Sequence, residues 1–192
     1  MGYRYELRFG GVGGQGSLTA GTIIAHAAVF HTDYYATQVP TYTSQVRGGK
    51  AKADIIICDE PITFSETTKV DFFMTTHQSV YDAYKADLKE GAIILSDPAL
   101  VKNIPDEDRK KYKIYEYPLI YTAKHEIGNV VTMNVLAVGV CVGLTHVLDK
   151  EAVREAIKDT VPPAFLDMNM KAYDLGLEVG EKFKKEGPTK KT

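Results

Sequence analysis

The stretch "FGGVGGQGSLTAG", residues Phe9 to Gly21, follows a short apolar run and leads into a helical pattern. Its glycines Gly11, Gly13 and Gly16 have the spacing G-x-G-x-x-G, which is typical of a phosphate-binding turn between a strand and a helix. Glycine lets the backbone come close to an anion, and the N–H groups at the start of a helix from Ser17 favour negative charge. The stretch therefore predicts an α/β fold that begins with a strand, a glycine turn and a helix.

Strand and helix patterns alternate along the rest of the chain. Further strands are predicted at "DYYATQVP", "ADIIICD", "DFFMTT", "AIILSD" and "YKIYEYP". Helices are predicted at Ser17–Phe30, at "QSVYDAYKADLKEG" with Gly91 as its stop, at Val130–Leu148, at "DKEAVREAIKDT" with Asp149 as N-cap, and at "LDMNMKAYDLGLEVGEKF". The charged run "PDEDRKKYK" is expected to be a solvated loop.

This order of elements favours a doubly wound, mainly parallel, Rossmann-like sheet with a helical C-terminal section. The 192 residues suit one domain, which we expect over residues 1–183, followed by a frayed basic tail over residues 184–192. Gly139 and Gly143 lie four residues apart on an apolar helix, where they would let another backbone approach closely. The sequence leaves open whether that backbone belongs to the same chain or to a partner.

Composition excludes several classes of function. A net charge of −2 gives no reason to expect binding to nucleic acid or to an anionic membrane. The N-terminus lacks the apolar core of a secretory signal, so we expect a cytoplasmic protein without membrane contact. Cys58 and Cys141 stand in apolar runs without CxxC spacing and are expected to be buried. The five histidines fall into no ligand spacing, so we assign no metal site and no catalytic residue to this chain.

A dinucleotide site is one interpretation of the glycine turn, but one of its parts is missing. Such a site has an acidic residue at the end of the second strand that binds the ribose. Here the second strand ends "ATQVP", and Asp33 stands before that strand rather than after it. A different phosphate-bearing ligand, or glycines that serve only close strand–helix packing, are the other interpretations.

A second loop follows the second strand in "TYTSQVRGGKAKADIIICD", residues Thr41 to Asp59. Its hydroxyls, its guanidinium and its glycines are groups that bind phosphate or carboxylate. In a doubly wound sheet this loop opens at the same edge as the first glycine turn. The candidate binding residues are Gly13, Gly14, Gln15, Gly16, Ser17, Thr43, Ser44, Arg47, Gly48 and Gly49. The alternative is a solvated loop whose arginine pairs with a structural carboxylate.

The two loops together carry a resemblance to a known family. "GVGGQGSLTAGTIIAHAA" followed by "TYTSQVRGGKAKADIIICDEPI" resembles the gamma subunits of the 2-oxoacid:ferredoxin oxidoreductases, most of all the 2-oxoglutarate-type members. The segments "GNVVTMNVLAVGVCVGL" and "VPPAFLDMNMKAYDLG" extend the similarity over nearly the whole chain. In one departure, this chain has "TSQV" where many members have Gly-Pro-Glu before the arginine.

The resemblance implies a function within a larger enzyme. Members convert a 2-oxoacid and coenzyme A into an acyl-CoA, CO₂ and reduced ferredoxin. Thiamine diphosphate, Mg and iron–sulfur clusters are expected on the alpha, beta and ferredoxin-like delta subunits, whereas this gamma chain is expected to handle coenzyme A and to support assembly. The isolated chain would then be inactive and form a homodimer or a higher assembly. A free-standing dinucleotide-dependent oxidoreductase and a module that binds nothing are the alternatives.

Overall fold

The computed structural model describes residues 2–13, 16–42 and 49–190. Within them six strands form one sheet in the order β2-β3-β1-β4-β5-β6. The strands are β1 (Arg4–Val12), β2 (Tyr35–Tyr42), β3 (Lys50–Cys58), β4 (Val70–Thr75), β5 (Leu88–Ser96) and β6 (Lys113–Glu116). Strands β1, β4, β5 and β6 pair in parallel, whereas β3 runs antiparallel to both β1 and β2. All strands except β3 therefore point the same way, and the predicted mainly parallel sheet is confirmed.

Helices cover both faces of this sheet. They are α1 (Ser17–His31), α2 (Gln78–Tyr84), α3 (Asp106–Lys111), α4 (Leu119–Thr122), α5 (Met133–Thr145), α6 (Lys150–Thr160) and α7 (Leu166–Glu186). Alternate residues of β4 point to opposite cores: Phe72 packs in the cluster with α1 and α5, whereas Phe73 packs in the cluster with α2. This alternation is the period-2 pattern of a strand that is buried on both sides.

Helices α5 and α7 pack backbone to backbone through glycines. A Cβ atom on Gly139 would collide with the carbonyl oxygen of Tyr173, and one on Gly143 would lie 2.5 Å from the carbonyl oxygen of Leu177. Gly176 and Gly180 of α7 meet α5 in the same way. The close backbone approach predicted from the glycine spacing therefore occurs within the chain, between helices α5 and α7.

The predicted helix Gln78–Gly91 is wrong in its second half. Helix α2 ends at Tyr84 and is followed by a 3₁₀ turn over Lys85–Asp87. Strand β5 then begins at Leu88 and is irregular at Gly91. Gly91 has φ 75°, a left-handed conformation that glycine adopts without strain, so it serves an irregular strand rather than a helix end.

The charged run "PDEDRKKYK" forms helix α3 and not a loop. Three acidic residues occupy its first turn and three basic residues its last turn, so both ends complement the helix dipole. Pro105 stands directly before the first turn, where a missing N–H costs no hydrogen bond. None of the six residues is buried, which explains why hydrophobic periodicity gave no helical signal.

The apolar segment predicted as one helix over Val130–Leu148 is divided. Asn129 Oδ1 accepts a hydrogen bond from the Val131 N–H and starts a short 3₁₀ turn, after which α5 begins at Met133. His146, at φ 54°, ends α5 in the left-handed conformation. In the described part of the chain no helix is long and apolar enough to cross a membrane.

The C-terminal residues continue the fold past position 183. Lys184–Glu186 form the last turn of α7, and the Thr189 N–H donates to the carbonyl oxygen of Ile114 at 2.8 Å. The Thr189 hydroxyl oxygen accepts from the N–H of Glu116 at 3.0 Å. These bonds satisfy backbone groups on the outer edge of β6.

A buried ion pair crosses the junction of β1 and β3. Arg8 and Asp54 stand opposite each other in the ladder, and the guanidinium donates to both carboxylate oxygens at 2.6 and 3.0 Å. Lys52 Nζ lies 2.6 Å from the same carboxylate, and Asp87 lies 2.7 Å from the guanidinium. Burial alone would raise the pKa of Asp54, but the hydrogen bonds and charges of Arg8 and Lys52 outweigh it and lower that pKa.

We expect Asp54→Asn to lower the free energy of unfolding at pH 7 by about 3 kcal/mol, because Arg8 loses its buried counter-charge. A carboxyl whose pKa is lower in the folded state stabilises the fold above its unfolded-state pKa of about 3.9, and this contribution disappears as the pH falls through the folded-state value. The difference between the two proteins should therefore shrink below about pH 4. Urea titrations between pH 3 and 7 measure it, with the exposed Asp33→Asn as control. A constant difference across this range would contradict the assignment.

Candidate functional site

Both glycine loops lie at one edge of the sheet. Val12 at the end of β1 pairs with Lys50 at the start of β3, and the Gly13 N–H donates to the Gly49 carbonyl oxygen at 2.9 Å. Tyr42 at the end of β2 pairs with Ala51 near the start of β3, so the described ends of these two antiparallel strands also lie at this edge. The antiparallel direction of β3 thus brings together two loops that follow different strands.

Gly16 marks the start of helix α1, and its position requires glycine for two reasons. Its φ of 67° is left-handed, and a Cβ atom there would collide with the side-chain amide of Asn134. The Gly16 carbonyl oxygen accepts the N–H of Thr19 at 2.9 Å, but no side chain caps the helix. Gly16 is therefore packed directly on the first turn of α5. The first N–H groups of α1 have no side-chain cap, and such N–H groups can bind an anion.

An open cavity of about 890 Å³ begins at this turn. Its walls come from the turn and α1, from the segment that leads into α5, and from the connection between α6 and α7. The lining residues are Gly13, Gly16, Thr19, Ile120, Asn129, Val130, Val131, Thr132, Met133, Asn134, Val135, Thr160, Val161, Pro162, Phe165, Met168 and Asn169. The surface is mainly apolar with a few amide and hydroxyl groups, as in sites that bind small molecules.

Asn134 is the polar group of this cavity whose bonding is incomplete. It is 5% exposed, and its Nδ2 donates to the Val131 carbonyl oxygen at 3.3 Å. Its Oδ1 is buried and meets no donor within the described part of the chain. A buried acceptor without a donor costs free energy, and such a group in a native fold calls for an explanation, for which a ligand donor is one candidate.

The cavity is suited to binding rather than to catalysis. None of the described residues that line it is acidic, basic, a histidine or a cysteine. The threonine hydroxyls of the lining have no acidic, basic or histidine side chain beside them in the described wall to activate them, so this wall offers shape, apolar surface and hydrogen bonds. Cys58 and Cys141 are both buried as predicted, and burial raises the pKa of the Cys141 thiol.

The structure describes four of the predicted binding residues. Gly13 and Gly16 line the cavity, Gly49 accepts the hydrogen bond from Gly13, and Ser17 is buried as the first residue of α1. Gly14, Gln15, Thr43, Ser44, Arg47 and Gly48 lie outside the described residues.

Sequence patterns did not predict the side of the cavity that α5 and the α6–α7 connection supply. Asn134 is the one missed residue with a visible signal, because an amide inside an otherwise apolar helical run has to find a partner or a ligand. Asn129, Asn169 and Phe165 carry no comparable signal, since only the packing of α5 and α7 brings them to the glycine turn.

The dinucleotide interpretation loses support from the topology. In that fold the second strand lies beside the first in parallel and ends with the ribose-binding carboxylate. Here the antiparallel β3 stands between β1 and β2, and Asp33 precedes β2. The glycine turn is therefore placed in a different arrangement from that of a dinucleotide site.

Sequence comparison relates nearly the whole chain to one family. The family described as pyruvate ferredoxin/flavodoxin oxidoreductase matches residues 6–179. Among individual proteins, the 2-oxoglutarate synthase subunit KorC of Methanocaldococcus jannaschii is 37% identical over 93% of this chain and 95% of its own length.

Solved structures agree with this relationship. The gamma subunit of a keto/oxoacid ferredoxin oxidoreductase from Geobacter sulfurreducens has a TM-score of 0.83 and 38% identity, over 94% of this chain and 98% of its own. The 2-oxoglutarate:ferredoxin oxidoreductase of Magnetococcus marinus, which has 2-oxoglutarate, coenzyme A and succinyl-CoA bound, shares the fold. Its TM-score is 0.81 at 21% identity, over 93% of this chain and 31% of that one. With its α/β sheet, its paired glycine loops and a match along nearly its full length, this chain belongs to the pyruvate ferredoxin/flavodoxin oxidoreductase family.

Proposed function

We propose that this chain is the gamma subunit of a 2-oxoacid:ferredoxin oxidoreductase that acts on 2-oxoglutarate, and that it binds coenzyme A and supports assembly of the complex. The full-length match to a 2-oxoglutarate synthase subunit supports the choice of enzyme and substrate. The observation that carries the binding role is the apolar cavity that begins at the uncapped start of α1.

Coenzyme A has the chemistry that this edge of the sheet can bind. Its pyrophosphate and 3′-phosphate need backbone N–H groups and a cation, which the glycine turn and Arg47 would supply. Its pantetheine arm is neutral, with two amides on a flexible chain. The cavity offers apolar surface for that arm, and the amide of Asn134 in its wall offers a hydrogen-bonding group.

The redox chemistry belongs to partner subunits in this proposal. Thiamine diphosphate, with Mg, would sit on the alpha and beta subunits and supply the electron sink for decarboxylation. Iron–sulfur clusters on a ferredoxin-like delta subunit would carry electrons to ferredoxin. A four-cysteine cluster cannot form on a chain with only two cysteines, which supports this division of roles.

The mouth of the cavity supports a role in assembly. Val130, Val131 and Phe165 line the cavity and are 47%, 70% and 51% exposed. Exposed apolar side chains grouped at one site favour contact with another protein. We propose that partner subunits cover them in the complex.

Without its partners the chain should cover such surface by self-association. We expect sedimentation at micromolar concentration to show species larger than the 21.2 kDa monomer. A Val131→Ser variant, which removes the most exposed apolar group of the mouth, should dissociate more readily than wild type. Monomer alone for the wild-type chain would contradict the prediction.

Catalysis should require the assembled enzyme. We expect the purified chain to show no turnover of a 2-oxoacid when coenzyme A, thiamine diphosphate, Mg and viologen are supplied, because the described cavity lining has no acid–base side chain and therefore none that could activate a nucleophile. The native complex should reduce viologen fastest with 2-oxoglutarate in a panel that includes pyruvate, branched-chain oxoacids and indolepyruvate. Turnover by the chain alone, or a preference for another oxoacid, would refute the corresponding part of the proposal.

The coenzyme A site is tested by variants on both sides of the cavity. Arg47→Ala should weaken coenzyme A by roughly 1.5–3 kcal/mol, the range for a hydrogen bond to a charged group, and raise its apparent KM. Asn134→Ala should have a smaller effect of the same sign, about 1 kcal/mol, because it removes a neutral acceptor. Gly14→Val should be the most severe, since a branched side chain blocks backbone approach to phosphate.

The measurement is a titration of coenzyme A at saturating 2-oxoacid with each reconstituted complex. Lys102→Ala, which removes an exposed cation that does not line the cavity, is the control. Decarboxylation without coenzyme A should be unchanged in all variants. If Arg47→Ala leaves the coenzyme A dependence of an intact complex unchanged, the loop serves assembly and the binding role is refuted.

A further inference from the structure

Two histidines of α1 and one carboxylate of α6 converge on the surface of the helical layer, outside the cavity described above. The Nε2 atoms of His26 and His31 lie 3.1 and 2.7 Å from the same oxygen, Oδ2 of Asp159. The three potential ligand atoms all lie within 4.8 Å of one another. Both imidazole nitrogens therefore share a single carboxylate oxygen as their partner.

We propose that His26, His31 and Asp159 form a binding site for Zn²⁺ or a similar divalent transition metal. Two imidazole nitrogens and one carboxylate oxygen are a common ligand set for such ions. In a tetrahedral zinc site, with bonds of about 2.0–2.1 Å, neighbouring ligand atoms stand about 3.3 Å apart. The His26–Asp159 distance of 3.1 Å is close to that value, whereas the His31–Asp159 distance of 2.7 Å is shorter, so the His31 and Asp159 side chains must move apart to admit the ion.

The surroundings of the three side chains favour metal binding. The His26 ring packs against the Phe30 ring in a tilted contact, at 4.5 Å between centroids, which limits the freedom of its imidazole before an ion arrives. The two histidine side chains are about one quarter exposed and that of Asp159 about one half, so an ion and a water ligand can enter.

A metal ion at this site would link the C-terminal ends of helices α1 and α6. His31 is the last residue of α1, and Asp159 is the last residue but one of α6. Thr160 and Val161, which follow Asp159, line the cavity. A metal at this position would therefore fix the α6 end of that wall to α1.

Isothermal titration of the full chain with Zn²⁺, after removal of any histidine tag, tests the proposal. We expect one ion per chain with micromolar affinity and a higher melting temperature in its presence, because an ion that binds the folded state stabilises it. Mg²⁺ should neither bind nor compete, because imidazole ligands favour transition metals. Each of His26→Gln, His31→Gln and Asp159→Asn should weaken Zn²⁺ at least tenfold.

His146→Asn is the matched control. His146 also lies beside a carboxylate, that of Glu181 at 2.9 Å, but it has no second imidazole, and Lys150 and Lys184 surround the pair with positive charge. Asparagine tolerates the left-handed backbone at this position. The control should bind Zn²⁺ like wild type.

Circular dichroism confirms that each variant is folded, and a variant that is not folded is replaced by alanine at the same position. Absence of Zn²⁺ binding by the wild-type chain would overturn the proposal. Equal binding by wild type, His26→Gln and His31→Gln would also overturn it, because the ion would then sit elsewhere.

Discussion

The buried ion pair between Arg8 and Asp54 fixes the register on which the functional edge depends. The two residues stand opposite each other in the β1–β3 ladder, so a shift of one residue would separate these two buried charges and leave each with a single, more exposed ionic partner, Asp87 for Arg8 and Lys52 for Asp54. The same register places Val12 beside Lys50 and lets Gly13 bond to Gly49. A charge pair on one face of the sheet thus determines where the two glycine loops meet.

A second constraint comes from the contact between the glycine turn and α5. Gly16 has no side chain, and the amide of Asn134 occupies the space that a Cβ would take. This contact forms one end of the cavity, and the glycine packing of α5 on α7 brings the α6–α7 connection to its other side. Small residues therefore shape the site twice, once at the turn and once between the helices, because only they allow backbones to approach so closely.

The described cavity and the proposed role in the complex agree in their chemistry. A wall of apolar, amide and hydroxyl groups can hold a neutral arm and orient it. In the proposed role, such a subunit would add binding energy to a reaction whose reactive groups would lie on its partners. The His26–His31–Asp159 cluster does not line this cavity, and in our inference a metal ion bound there would stabilise the contact between α1 and α6.

The sequence by itself determined the elements that local pattern controls: the strand, glycine turn and helix at the N-terminus, the Asp149 cap of α6, and the family through its two loops. It did not give the direction of β3, because alternation with period 2 is the same in both directions. It also missed α3, whose stability comes from charge placement at its ends. The tertiary structure alone brought Asn134 to Gly16 and Asp159 to His26 and His31. These partners are separated by more than a hundred residues, and only the packing of helices on the sheet decides that they meet.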